Sequence, residues 1–183
     1  MSRTFVLGAP LLAVAAARMK ADVNYIGVAD GSESAWMAAN HVFLRDVWAD
    51  GYLTTRRLQR LYHRLYPGSS LWMDASLGEE TFLRAAAYAR ERRARVVLCV
   101  CDGQTATPAM GDAADWLVAG PGGAVGAPGT AVTLGAGESV ASWAGAMALC
   151  LMNGLDLARM TPFCRRAAAY VEEPPWYDEV AYG

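Results

Sequence analysis

Ser70-Leu71-Trp72-Met73, the span from Gly78 to Arg93, and Arg95-Val96-Val97-Leu98-Cys99-Val100-Cys101 form the stretch whose reading decides the fold. The first four residues have the composition of a short strand. Between Gly78 and Arg93, Phe82, Leu83, Ala86, Ala87 and Arg90 recur with a helical period. From Arg95 to Cys101 the chain is almost continuously apolar, the pattern of a strand covered on both faces. Strand, helix and buried strand in that order make a βαβ unit.

Downstream, the alternation continues. Asp115-Trp116-Leu117-Val118 reads as a strand after a polar loop, and Ala131 to Leu134 as another. Helices are predicted from Val140 to Asn153, with Gly154 as C-cap, and from Leu157 to about Val171. Between them and the preceding strands, the Gly/Pro-rich run 120–129 reads as a connector. Upstream, Thr54 or Thr55 caps a helix carrying Leu58, Leu61, Tyr62 and Leu65 on one face, closed by Pro67-Gly68. Val23–Ala29 and Ala35–Leu44 read as two strands joined through Asp30-Gly31-Ser32-Glu33, an Asp-Gly hairpin signal, with His41 in the second. The whole is an α/β, doubly wound, three-layer Rossmann-like sheet. One domain is expected over 1–171, followed by an acidic aromatic tail, 172–183, that is not expected to be helical because of Pro174-Pro175 and docks on this domain or a partner.

Composition sets limits on function. At 183 residues the chain builds one sizeable core, and 54% hydrophobic residues fit extensive burial. A net charge of −2 gives no general attraction to nucleic acid or anionic lipid. Arg56, Arg57, Arg60 and Arg64 could contact RNA phosphates, but a solvated helix face explains them as well and is preferred. Of the 16 basic residues only Lys20 is a lysine, and no glycine precedes it, which excludes a Walker-type phosphate loop. Cys99, Cys101, Cys150 and Cys164 form no disulfide or zinc pattern and read as buried thiols of an intracellular protein. Met1 to Ala17 has the composition of a secretory or mitochondrial leader, yet is too short and interrupted to span a membrane; a buried first strand, Thr4 to Leu7, with a turn and short helix is preferred. The compartment is left as cytoplasmic or mitochondrial.

The chemistry-bearing stretch is Thr133-Leu134-Gly135-Ala136-Gly137-Glu138. Small residues opening a helix leave unpaired N–H groups at the positive end of its dipole, suited to phosphate, and a neighbouring acid can accept a proton. An ordinary strand-to-helix turn has the same appearance. This motif and its continuation to Asn153-Gly154-Leu155-Asp156-Leu157 resemble the Gly-Ala-Gly-Asp signature of the ribokinase family of PfkB-type carbohydrate kinases, within it the pseudouridine-kinase-like branch. Asp74-Ala-Ser-Leu-Gly-Glu-Glu80 is similar to the family's Asp-Ala-Asn-Leu segment, Asn24 to Glu33 to its preceding strand pair, and Thr4 to Pro10 to its first strand.

The resemblance implies a ribokinase-like fold and ATP- and Mg-dependent phosphorylation of a hydroxyl. In that mechanism the amides of Gly135, Ala136 and Gly137 form the anion hole and Glu138 is the base. The departures are specific. Glu138 stands where the family has Asp, Val132 stands in place of an acid, and Ala119-Gly120-Pro121-Gly122-Gly123 lacks the Asn and Glu that lie near the metal–phosphate site. The span before Val23 has no room for the substrate-recognition region, and that between Val118 and Val132 is short for adenine-site elements. A reduced, degenerate fold is therefore expected, without cofactor or metal, serving as a structural subunit of a larger assembly or a homo-oligomer. The alternative is an active sugar or nucleoside kinase using ATP and Mg.

Overall fold

A computed structural model describes residues 3–121, 131–170 and 177–182. Its frame is a seven-stranded sheet in the order β3-β2-β1-β4-β5-β6-β7, with every neighbouring pair parallel. In chain order the elements are β1 (Thr4–Leu7), α1 (Pro10–Arg18), β2 (Val23–Val28), α2 (Gly31–Ala39), β3 (Phe43–Trp48), α3 (Thr55–Arg64) and β4 (Ser70–Asp74). A 3₁₀ turn (Ala75–Leu77) leads to α4 (Glu79–Glu91), β5 (Arg95–Val100), α5 (Pro108–Ala113), β6 (Trp116–Ala119), β7 (Ala131–Thr133), α6 (Val140–Met152), α7 (Leu157–Ala168) and α8 (Tyr177–Tyr182).

The predicted α/β architecture is the observed one. The apolar run at β5 is buried from Val96 to Val100, because helices cover both faces of the sheet. One face packs against α1, α6 and α7 through Val14, Trp143, Met147 and Cys164. The other packs against α3, α4 and α5 through Leu58, Leu61, Phe82 and Met110. Strand order reverses between β1 and β4, the place where α/β sheets usually leave a ligand crevice. Here Leu77 and Leu53 lie against Gly8, so a Cβ at Gly8 would stand 2.5 Å from Leu77 Cδ2. Apolar side chains occupy that position.

The expected hairpin between Val23 and Leu44 is corrected. Residues 31–39 are helical, and β3 runs parallel to β2 beyond them. The reason is a capping box that outweighs the Asp-Gly turn signal: Glu33 N–H donates to Asp30 Oδ1 at 2.8 Å, and Asp30 N–H donates to Glu33 Oε2 at 3.0 Å. His41 is not in a strand; it ends α2 in the left-handed conformation, φ +63°. Asp30→Ala should cost about 1 kcal/mol in urea unfolding, the usual value of an N-cap.

Two short helices were not expected. α5 starts from Thr107, whose hydroxyl accepts the Met110 N–H, with Pro108 at the first helical position. In the tail, Tyr177–Tyr182 is helical, which corrects the non-helical expectation for that part. Val180 buries against α7, and Arg166 Nε donates to the Val180 carbonyl at 2.9 Å. Residues 122–130, which include most of the predicted connector 120–129, and the stretch 171–176 lie outside the described residues.

Candidate functional site

The motif sits at the C-terminal edge of the sheet. Leu134 N–H donates to the Ala119 carbonyl, carrying the β6–β7 pairing one residue past β7, and its side chain is buried. The chain then leaves the sheet through Gly135, Ala136 and Gly137, all exposed, and enters α6 at Ser139, whose hydroxyl accepts the Ser142 N–H. Gly137 is left-handed (φ +82°) with open space where a Cβ would lie, so conformation and not crowding calls for glycine there. Neither α8 nor any other described element buries these three residues.

Glu138 folds back over the loop. Its Oε2 accepts the Gly135 N–H at 2.6 Å, and its Oε1 lies 3.5 Å from Arg165 Nη1 on α7. The Arg165 guanidinium is in turn 5.9 Å from the centre of the Trp143 ring. One of the amides expected to form an anion hole is thus already bonded to an anion, the chain's own carboxylate. Each carboxylate oxygen thus has one donor, the Gly135 N–H on Oε2 and Arg165 Nη1 on Oε1, and these hold the side chain over the loop.

A cavity of about 240 Å³ adjoins this loop, lined by Leu11, Cys101, Asp102, Glu138, Ser139, Val140 and Ala141. Asp102 was not singled out from sequence; it follows β5, and a Cβ on Gly120 would be 2.7 Å from its Oδ1. The bare backbone at Gly120, at the end of β6, makes room for that carboxylate. Cys101 donates its N–H to Gln104 Oε1, and burial together with Asp74 and Asp102 pushes its thiol up to about 11. At pH 7 only on the order of 10⁻⁴ of it is thiolate, so it is no nucleophile there. Peptide-mapped iodoacetamide labelling of Cys101 should be slow at pH 7 and rise steeply towards pH 11.

Asp74, at the end of β4, turns inward to the chain: it caps the 3₁₀ turn, accepting the Ser76 N–H at 3.0 Å and the Ser76 hydroxyl. Among the described residues no group of three or more His, Cys, Asp or Glu side chains could hold a metal ion. Asp102 and Glu138 are the acids lining the cavity, and Glu138 is engaged as above. Among the described residues no helix is long and apolar enough to cross a membrane.

The arginines of α3 belong to the β3 side of the sheet, at the opposite end of the strand order from β7. Arg60 and Arg64 pair with Asp46 at 3.0 and 3.3 Å, and Arg57 donates to the carbonyls of Asp50 and Tyr52 while lying over Trp48. Arg56 is exposed.

No protein-family model and no curated protein matches the sequence. Solved structures do match. Arabidopsis thaliana ribokinase complexed with ribose and ATP superposes with a TM-score of 0.75 at 10% identity, covering 99% of this chain and 98% of that one. The tetrameric inhibited form of Escherichia coli phosphofructokinase-2 gives 0.71 at 12% identity, covering 99% and 97%. The same enzyme in complex with fructose-6-phosphate gives 0.73 at 12% identity over the same shares. The fold is therefore the ribokinase-like α/β fold that the sequence motif suggested; at these identities the likeness is one of fold.

Proposed function

We propose that this chain is a ribokinase-like domain that does not transfer phosphate and that serves as a structural or accessory subunit of a larger assembly. The observation carrying this reading is the engagement of Glu138 with the Gly135 amide and Arg165, which gives one of the three expected anion-hole amides to the chain's own carboxylate. Supporting it are Leu77 and Leu53 at the switch point, and the absence of carboxamide or acid in Ala119-Gly120-Pro121 after β6. The direct connection from β1 through Gly8 and Ala9 into α1 agrees with a reduced substrate side.

The second reading is an ATP- and Mg-dependent kinase for a sugar or a nucleoside, including the pseudouridine-like class, with Glu138 as base. The exposure of Gly135, Ala136 and Gly137 beside an open cavity favours it. The experiment is radiolabelled phosphate transfer from ATP with Mg across a panel of sugars and nucleosides, for the natural protein and Glu138→Gln. The expected result is background transfer by both. Turnover that Glu138→Gln abolishes establishes the kinase instead.

A further inference from the structure

Helices α3 and α4 carry a surface that neither the sheet edge nor the core explains. Tyr62 and Tyr88 meet edge to face, 5.5 Å between centroids, with His63 packed edge-on against Tyr62 at 5.6 Å and the Arg92 guanidinium 5.2 Å from the Tyr62 ring. They lie at a hollow of about 410 Å³ lined by Gln59, Tyr62, His63, Tyr88 and Glu91. Through His63 it adjoins a second hollow of about 320 Å³ lined by Asp46, Arg60, His63 and Arg64. Between Asp50 and Asp74 the chain has no acid but has Arg56, Arg57, Arg60 and Arg64. The first hollow has an aromatic floor with Glu91 as its acid, and the second, which shares His63 with it, has Arg60 and Arg64 about the buried Asp46.

The opposite character occurs at α8. Val180 anchors that helix to α7, as do the Tyr170 hydroxyl bonded to the Glu179 carbonyl and the Phe163–Tyr177 ring contact at 5.7 Å. Asp178 and Glu179 are exposed, and Tyr182 is 86% exposed. A docked helix thus holds two carboxylates and a bare aromatic ring towards solvent. The anchor Val180 belongs to the core on one face of the sheet, and Leu58, Leu61 and Ala85 under the α3–α4 hollow to the core on the other. A chain cannot bring its own docked α8 to its own hollow.

We propose that the α3–α4 hollow receives α8 of a second copy of this chain: Tyr182 enters against Tyr62 and Tyr88, and Asp178 and Glu179 face Arg60, His63 and Arg64. Stacked aromatic edges and complementary charge fix the pairing. The contact is heterologous, so it adds copies head to tail and closes into a ring or continues as a chain. It does not depend on the noncatalytic reading; a kinase could assemble in the same way.

Sedimentation velocity over a concentration series tests it. The natural protein should self-associate, at least tenfold more weakly at about 500 mM than at about 50 mM salt, as exposed charge pairs are screened. Gln59→Glu with His63→Glu should weaken association by at least tenfold while leaving Arg60, Arg64 and their partner Asp46 in place. Asp178→Lys with Glu179→Lys should do the same, and an equimolar mixture of the two variants should form 1:1 dimers. Tyr182→Ser should also weaken association, with circular dichroism confirming that each variant is folded. A protein monomeric at every concentration and salt overturns the proposal. So does association unchanged by the α8 variants, or a single-stranded RNA 20-mer that binds the folded chain and is lost on Gln59→Glu with His63→Glu while α8 reversal changes nothing.

Discussion

Gly145→Ala is expected to destabilise the domain by about 1–3 kcal/mol, and Gly145→Val by more, although Ala is the better helix former by about 1 kcal/mol. Gly145 lies in the middle of α6, where that helix crosses α1. A Cβ there would stand 2.6 Å from the Ala15 carbonyl oxygen, 2.7 Å from its carbon and 3.0 Å from the Ala16 nitrogen. These are backbone atoms of a buried helix, and no rotamer change can relieve the contact. The helices would have to separate, opening the packing of Val14, Trp143 and Met147 that both share. Gly31→Ala is the control: it is at the start of α2 with no atom within 4 Å of the added methyl, and should be neutral or stabilising by up to about 1 kcal/mol. Urea midpoints of the three variants give the comparison; a Gly145→Ala protein as stable as the parent would mean that α1 and α6 tolerate a wider crossing.

Much of this architecture was legible because apolar period and helix punctuation agreed. The apolar run at β5 suits a strand covered on both faces, and Thr54 followed by Leu58 and Leu61 gives α3 its start and its buried face. Where two local signals competed, sequence reading chose the wrong one: Asp30-Gly31 is a turn pair, but Asp30 with Glu33 is a capping box, and bonds at both ends of that box decide in favour of helix. α8 was missed because Pro174-Pro175 dominated the tail, while its stability comes from Val180 and Arg166, a tertiary contact. At the candidate site, the strand–loop–helix geometry of Thr133 to Ser139 was readable from its glycines. The partners that set its chemistry were not: Arg165 is 27 residues from Glu138, and Asp102 reaches the same cavity from another strand. Neither carries a local sequence signal.

The last expected effect concerns a carboxylate whose partners could be mistaken for a nucleic-acid surface. Arg60→Ala with Arg64→Ala should cost about 3 kcal/mol, far more than two exposed arginines normally would. Their common partner, Asp46, is on β3 with its side chain only 7% exposed, while the arginines are 59% and 46% exposed. Removing both cations leaves a buried carboxylate without a counter-charge, and its desolvation is then uncompensated. The cost belongs to Asp46, not to the arginines, and this has a consequence that two variants can distinguish. If the arginines act mainly through Asp46, adding Asp46→Val, a residue suited to a strand, should recover most of the loss, so that the triple variant is more stable than the double. If instead they hold β3 through their stems and through the Trp48 ring, 5.9 Å from the Arg60 guanidinium, the triple variant should remain as unstable as the double. The buried carboxylate makes the first result the expected one, and it identifies Arg60 and Arg64 as counter-ions of the fold whose outward surface is free to serve a second purpose.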